Sequence, residues 1–256
     1  MPVEYVDFEK AREMSGLRMV VVTGVPSPWG EAAKGILHIK QIPWAAVRLD
    51  QSSDAMAEWT GQRSGPVAVY EDEAPRGGWA EILMLAERLA PKPSLLPADA
   101  AERAHAIGVA HEICGEMGLG WCLRNVAVHA GLAGEGGFPA PVAGYLASKY
   151  GYRDEEAPLY RSRVMTILEM LGARLRSQRD AGSRFYFGDE ISAVDVYSAT
   201  FAALLKPLPP EDCPMPDAMR QAFESADEEI LSVLDPLVLE HRDFLYAEYM
   251  ELPLTL

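Results

Sequence analysis

The hydrophobic pattern changes period several times in the first ninety residues, and each change marks an element. Residues 7–14 mix charged and isolated apolar positions and predict a short leading helix with Asp7 at its N-cap. From Leu17 the apolar positions run together: Leu17, Met19, Val20, Val21 and Val22 end in the turn-rich stretch Thr23-Gly24-Val25-Pro26-Ser27-Pro28. A short, β-branched run closed by Gly and Pro predicts a buried strand. Helical spacing follows, with Ala33, Ile36, Leu37 and the stem of Lys40 on one side of residues 29–40. Ser27 suits the N-cap of that helix and Pro28 its first position. Ile42-Pro43 closes it, and residues 44–49 return as a strand, which completes a β-α-β unit. The polar residues 53–62 predict a helix or a loop. Residues 65–70 predict a strand with Pro66 at its mouth, where a missing N–H is tolerated. The acidic turn Glu71-Asp72-Glu73 follows, and then a compact apolar helix over 79–89.

Three prolines within residues 91–97 cannot continue a helix and make a stiff, extended linker. They divide the chain into domains at 1–92 and 98–256. Beyond them the pattern is helical, most clearly at 98–117, 160–179, 192–205, 217–225 and 228–239. The Gly- and Pro-rich residues 130–144 predict a long loop, and Pro207-Leu208-Pro209-Pro210 a second break. The predicted fold class is therefore an α/β domain followed by an all-α domain.

Composition narrows the function. The chain has 256 residues, 49% of them hydrophobic, so it has ample material for two cores. A formal net charge of -15 argues against nucleic acid as a partner, because a phosphate backbone rewards clustered Lys and Arg. No apolar run reaches the roughly 18 residues that cross a bilayer, and the first 14 residues lack the basic and apolar regions of a signal peptide. A cytoplasmic protein is expected. Cys114, Cys122 and Cys213 form no CxxC pair, and an odd count does not suggest a disulfide framework. The five histidines, His38, His105, His111, His129 and His241, form no HExxH or dense ligand cluster, so no metal is expected. There is also no GxGxxG or P-loop after a strand, and no GxSxG elbow.

Three motifs then appear in a telling order. Val25-Pro26-Ser27-Pro28-Trp29-Gly30 is a serine-proline-aromatic turn at a helix start. Gly65-Pro66 opens a strand after the β-α-β unit. Ile191-Ser192-Ala193-Val194-Asp195-Val196 has the form of a capping box with a hydrophobic staple, Ser192 and Asp195 capping each other and Ile191 packing on Val196. In this order they resemble the glutathione transferases. The resemblance covers nearly the whole chain and implies a thioredoxin-like N-terminal domain followed by an all-helical C-terminal domain.

The resemblance also implies a site. Ser27 would stand beside the sulfur of glutathione at a helix N-terminus, whose free N–H groups and positive dipole end favour a developing thiolate. In the rival reading Ser27 only caps its helix, and Trp29 or a backbone N–H faces the thiol. Gly65-Pro66 would be a cis peptide whose Gly65 backbone pairs with the cysteinyl part of glutathione. Most members hold the γ-glutamyl end with an acidic residue and a serine opening the helix after the fourth strand. The corresponding stretch, Pro75-Arg76-Gly77-Gly78-Trp79-Ala80-Glu81, lacks that pair. Its candidates for the role are Arg76, the Gly77-Gly78 backbone at the helix start beside Trp79, and Glu81 for an ammonium group. Trp121, Arg124 and Tyr145 lie where transferases bind the electrophile, although aromatics there are more often core. The resemblance thus implies a homodimer that delivers glutathione to a small hydrophobic electrophile. The alternative is a binding or interaction module that keeps the fold without the chemistry.

Overall fold

A computed structural model describes residues 3–224, 227–254 and 256. The chain divides into two compact units. The first comprises the chain up to Leu95 together with Pro209–Met215 and Tyr246–Leu256; the second comprises Leu96–Leu208 and Pro216–Leu245.

In the first unit the elements run α1 (Phe8–Glu13), β1 (Leu17–Val21), α2 (Pro28–Ile39), β2 (Trp44–Arg48), α3 (Asp54–Thr60), β3 (Val67–Tyr70) and α4 (Trp79–Leu89). The sheet order is β2-β1-β3. Strand β2 is parallel to β1, with Val20 opposite Val47, and β3 is antiparallel to it, with Val20 opposite Val67. A parallel neighbour requires a crossover, which α2 supplies. All five residues of β1 are buried, which explains why four of them are apolar without alternation. Its one charged member, Arg18, is spent on backbone carbonyls: it donates to Ala11 O, Gly16 O and Glu71 O at 3.1, 2.5 and 3.0 Å. Val20, Ala45, Val47, Val67 and Val69 form one core face with Ala11 and Met56. The fourth strand that the resemblance implies is present only as a single antiparallel bridge between Arg76 and Ala68.

Local signals fixed most boundaries here. The undecided residues 53–62 contain helix α3, because Ser53 Oγ accepts the Met56 N–H at 3.1 Å and caps it. Asp7 does hold the N-cap position of α1, but its side chain makes no capping bond. Lys40 is buried, and its Nζ donates to Glu87 Oε1 at 2.7 Å and Pro93 O at 2.6 Å, which ties the proline-rich linker to α2 and α4.

The second unit is helical, with α5 (Ala100–Cys114), α6 (Leu119–Ala133), α7 (Ala140–Tyr150), α8 (Ala157–Asp180), α9 (Ala193–Ala202), α10 (Asp217–Glu224), α11 (Glu228–Val233) and α12 (Pro236–Tyr249), whose last residues belong to the first unit. The predicted loop over 130–144 is wrong: α6 runs to Ala133 and α7 starts at Ala140. Gly131 marks a close approach and not a loop, since a Cβ there would collide with the Phe138 carbonyl oxygen and touch the Ala143 methyl. The predicted helix over 228–239 breaks at Asp235-Pro236, where Asp235 Oδ1 accepts the Leu237 N–H at 2.9 Å and starts α12. The predicted helix over 217–225 is α10, with Ser225 outside the described residues.

Helix α9 is buried along all ten residues. Its capping box is present and converges on Asp195, itself fully buried. Asp195 Oδ2 accepts the Ser192 N–H at 2.8 Å and the Ser192 hydroxyl at 2.6 Å. Its Oδ1 accepts the Tyr186 N–H at 2.9 Å and lies 2.9 Å from His241 Nε2 on α12. One carboxylate thus joins the turn before α9, the helix itself and α12. Among the described residues no helix is long and apolar enough to cross a membrane.

Candidate thiol site

The glutathione-site residues implied by the sequence, from Ser27 to Trp79, lie within the first unit. Ser27 occupies the N-cap position of α2, with extended backbone (φ -66°, ψ 117°) and Pro28 as the first helical residue. Its carbonyl accepts the Glu31 N–H at 2.8 Å, so the helix is properly started. Its hydroxyl, however, makes no capping bond. Gly30, at the third helical position, offers no side chain to reach back, so no capping box can form. With no capping bond made, the hydroxyl is not committed to the helix it precedes. The Leu256 side chain shares this neighbourhood: a Cβ on Gly30 would lie 3.4 Å from Leu256 Cδ1 and 3.8 Å from Ser27 Oγ. Trp29 is half-buried beside Ser27.

Gly65-Pro66 is a cis peptide, as the resemblance implies. Gly65 packs against the end of β1, where a Cβ would stand 3.1 Å from Val20 O and 3.4 Å from Val22 N. This contact brings the mouth of β3 to the strand end that leads into the Ser27 turn. Gly77 joins the same region through a residue that sequence reasoning missed. Gln62 lies over Gly77, its side-chain atoms 2.6–2.8 Å from where a Cβ would be, and its Nε2 donates to Ser64 O at 3.1 Å. Nothing in a polar stretch between two elements distinguished Gln62 from its neighbours. Only the packing does.

The start of α4 is otherwise more committed than the sequence suggested. The Gly78 N–H donates to Glu81 Oε2 at 2.7 Å, so Glu81 caps α4 and occupies one of the two expected backbone donors. Arg76 Nη2 donates to Glu73 Oε2 at 2.6 Å and Nη1 to Ala74 O at 3.2 Å, which turns the guanidinium toward the acidic turn. Glu73 also receives Arg88, and these two arginines hold its carboxyl below the usual range, the Arg88 hydrogen bond contributing most. Trp79 is half-buried at the first position of α4.

Other groups stand apart from this site. An open cavity of about 530 Å³ at the opposite end of β1 is lined by Arg18, Trp59, Val69 and Glu71, among others, and contains none of the predicted site residues. The three cysteines are buried and none is in a disulfide; burial pushes the Cys114 thiol well up and that of Cys122 to about 11. Neither supplies a thiolate at neutral pH. In the second unit Trp121 and Tyr150 meet edge to face at 5.6 Å, and the Arg124 guanidinium lies 4.1 Å from the Tyr150 ring centre. Tyr145 remains 49% exposed, so it is not the core aromatic that its type favoured. No group of three or more His, Cys, Asp or Glu side chains among the described residues could hold a metal ion.

No protein-family model and no curated protein matches the chain. Solved structures do. A glutathione transferase family member from Pseudomonas fluorescens, crystallised with two glutathione bound, aligns over 91% of this chain and 89% of its own with TM-score 0.61 and 15% identity. The beta-etherase LigF from Sphingobium sp. strain SYK-6 aligns over 91% and 95% with TM-score 0.62 and 15% identity. Rice GST1, in complex with glutathione, aligns over 93% of both chains with TM-score 0.58 and 19% identity. This chain has the glutathione transferase fold. The likeness extends through both parts of the glutathione transferase fold, the thioredoxin-like one and the helical one, and that agrees with the order of elements read from the sequence.

Proposed function

We propose that this chain is a glutathione transferase-like enzyme that activates the thiol of glutathione for attack on a small hydrophobic electrophile. The single observation that carries the reading is Ser27: it stands at the head of α2 with a hydroxyl that does not cap the helix. A hydroxyl so placed donates a hydrogen bond to a sulfur and favours the thiolate, and the helix dipole adds to the effect. The Gly65 backbone would pair with the cysteinyl part of glutathione, with Trp29 and Trp79 as flanking walls. The glutathione bound in several structures of the same fold supports this use of the site. Proximity and a preformed thiolate would be the protein's contribution, and the electrophile would supply the remaining driving force. A cytoplasmic homodimer belongs to the same proposal.

One observation favours the second reading, a non-catalytic binding module. Arg76 and the Gly78 N–H, two of the groups expected to hold the γ-glutamyl end, are engaged by Glu73 and Glu81. Calorimetric titration with glutathione separates the readings. Saturable binding with a lowered thiol pKa supports the enzyme, and a flat titration supports the module.

A further inference from the structure

Resting on the reading of the first unit as a glutathione site, we propose that Gln62 receives the γ-glutamyl head of glutathione, replacing the acidic-serine pair that is absent at the start of α4. Three observations converge on it. Its side chain lies over Gly77, the residue at the place where that pair is expected, and the Gln62 amide occupies the space that a Cβ on Gly77 would take. Its Nε2 donates to Ser64 O, which fixes the amide next to Gly65-Pro66, the segment assigned to the cysteinyl part. Gln62 Oε1 has no hydrogen-bond partner among the described residues, and Nε2 carries a second N–H.

The chemistry of the ligand fits those groups. A γ-glutamyl head is a zwitterion, with an ammonium that donates and a carboxylate that accepts. An amide offers one acceptor and one donor side by side, so a half-buried glutamine can answer both charges without bringing a charge of its own. The charged candidates nearby do not compete for this role. Arg76 is held by Glu73, and Glu81 spends Oε2 on the Gly78 N–H.

The test compares two probes on wild-type protein, Gln62→Ala and Gln62→Glu by calorimetry. The probes are glutathione and cysteinylglycine, which lacks the γ-glutamyl group. We expect Gln62→Ala to weaken glutathione binding about tenfold, as for one lost charge-assisted hydrogen bond, and to leave cysteinylglycine unchanged. The pKa of the bound glutathione thiol should not move, because the sulfur lies at the Ser27 end. Gln62→Glu keeps the packing on Gly77 and an acceptor for the ammonium, so it should lose less than Gln62→Ala. Equal glutathione affinity in wild type and Gln62→Ala overturns the inference and spares the site. So does an equal loss of both probes, which would mean a general loosening of the loop. Wild-type protein that binds neither probe overturns the site and this inference together. Should Gln62→Ala fail to fold, Gln62→Glu against wild type still decides: a change confined to glutathione supports the role, and no difference between the probes refutes it.

Discussion

Two serines occupy the same position on two helices and do different work. Ser192 heads α9 in the second unit, is 3% exposed, and gives both its N–H and its hydroxyl to Asp195. Ser27 heads α2 in the first unit, half-buried, with its hydroxyl unspent on the helix. The difference begins three residues on. Asp195 stands at the third position of α9 and closes a capping box, whereas α2 has Gly30 there and cannot close one. A serine before a helix is thus either tied into the structure or an available hydroxyl, and the bonds that its side chain makes show which. The comparison carries the proposed division of labour: the second unit is held by its cap, and the first unit keeps its serine for chemistry.

The comparison breaks most sharply at Asp195. Asp195→Ala leaves the buried Tyr186 and Ser192 donors without their acceptor and removes the carboxylate beside His241, and should destabilise the protein by about 3–5 kcal/mol, read from urea midpoints. A loss below 1 kcal/mol would mean that the carboxylate is not the hub described. Gly131→Ala tests the helical packing that the sequence concealed. A methyl driven into the Phe138 carbonyl should cost about 1–3 kcal/mol, and a neutral result would show that α6 and α7 approach less closely than described.

Ser192→Ala removes one bond from the hub and leaves the rest, so about 1 kcal/mol is expected. An unchanged midpoint would reduce Ser192 to the status of Ser27. Ser27→Ala should lie at the bottom of the series, within about 0.5 kcal/mol of wild type, because no capping bond is lost.

The same contrast explains what was legible in the sequence. The Ser192-Asp195 box was readable because all its parts lie within six residues, and so were the β-α-β unit and the proline-rich linker. The Gly65-Pro66 step stood out because Gly and Pro carry their own backbone restrictions. What stayed hidden depends on partners distant in sequence or on packing. Gly131 looks like loop punctuation until Phe138 and Ala143 are seen against it. Arg76 looks like a free cation until Glu73 takes it, and Gln62 becomes a candidate only when Gly77 is found beneath it. The break at Asp235-Pro236 was missed because the apolar period runs across it, although Asp before Pro suits a helix start. The segments Pro209–Met215 and Tyr246–Leu256 carry no local sign that they pack with the first unit.

The central claim is that the Ser27 hydroxyl serves the thiol and not the helix. The most direct measurement is the pKa of the glutathione thiol bound to wild type and to Ser27→Ala, followed by thiolate absorbance across a pH titration. Wild type should hold the thiol below the roughly 8.5 of a free thiol. Ser27→Ala should raise it by about one unit, corresponding to one lost hydrogen bond to the charged form. Turnover at neutral pH should fall in step, with glutathione affinity nearly constant and the urea midpoint unmoved. An equal thiol pKa in the two proteins, accompanied by a stability loss of about 1 kcal/mol in Ser27→Ala, would return Ser27 to the role of an ordinary cap and contradict the account.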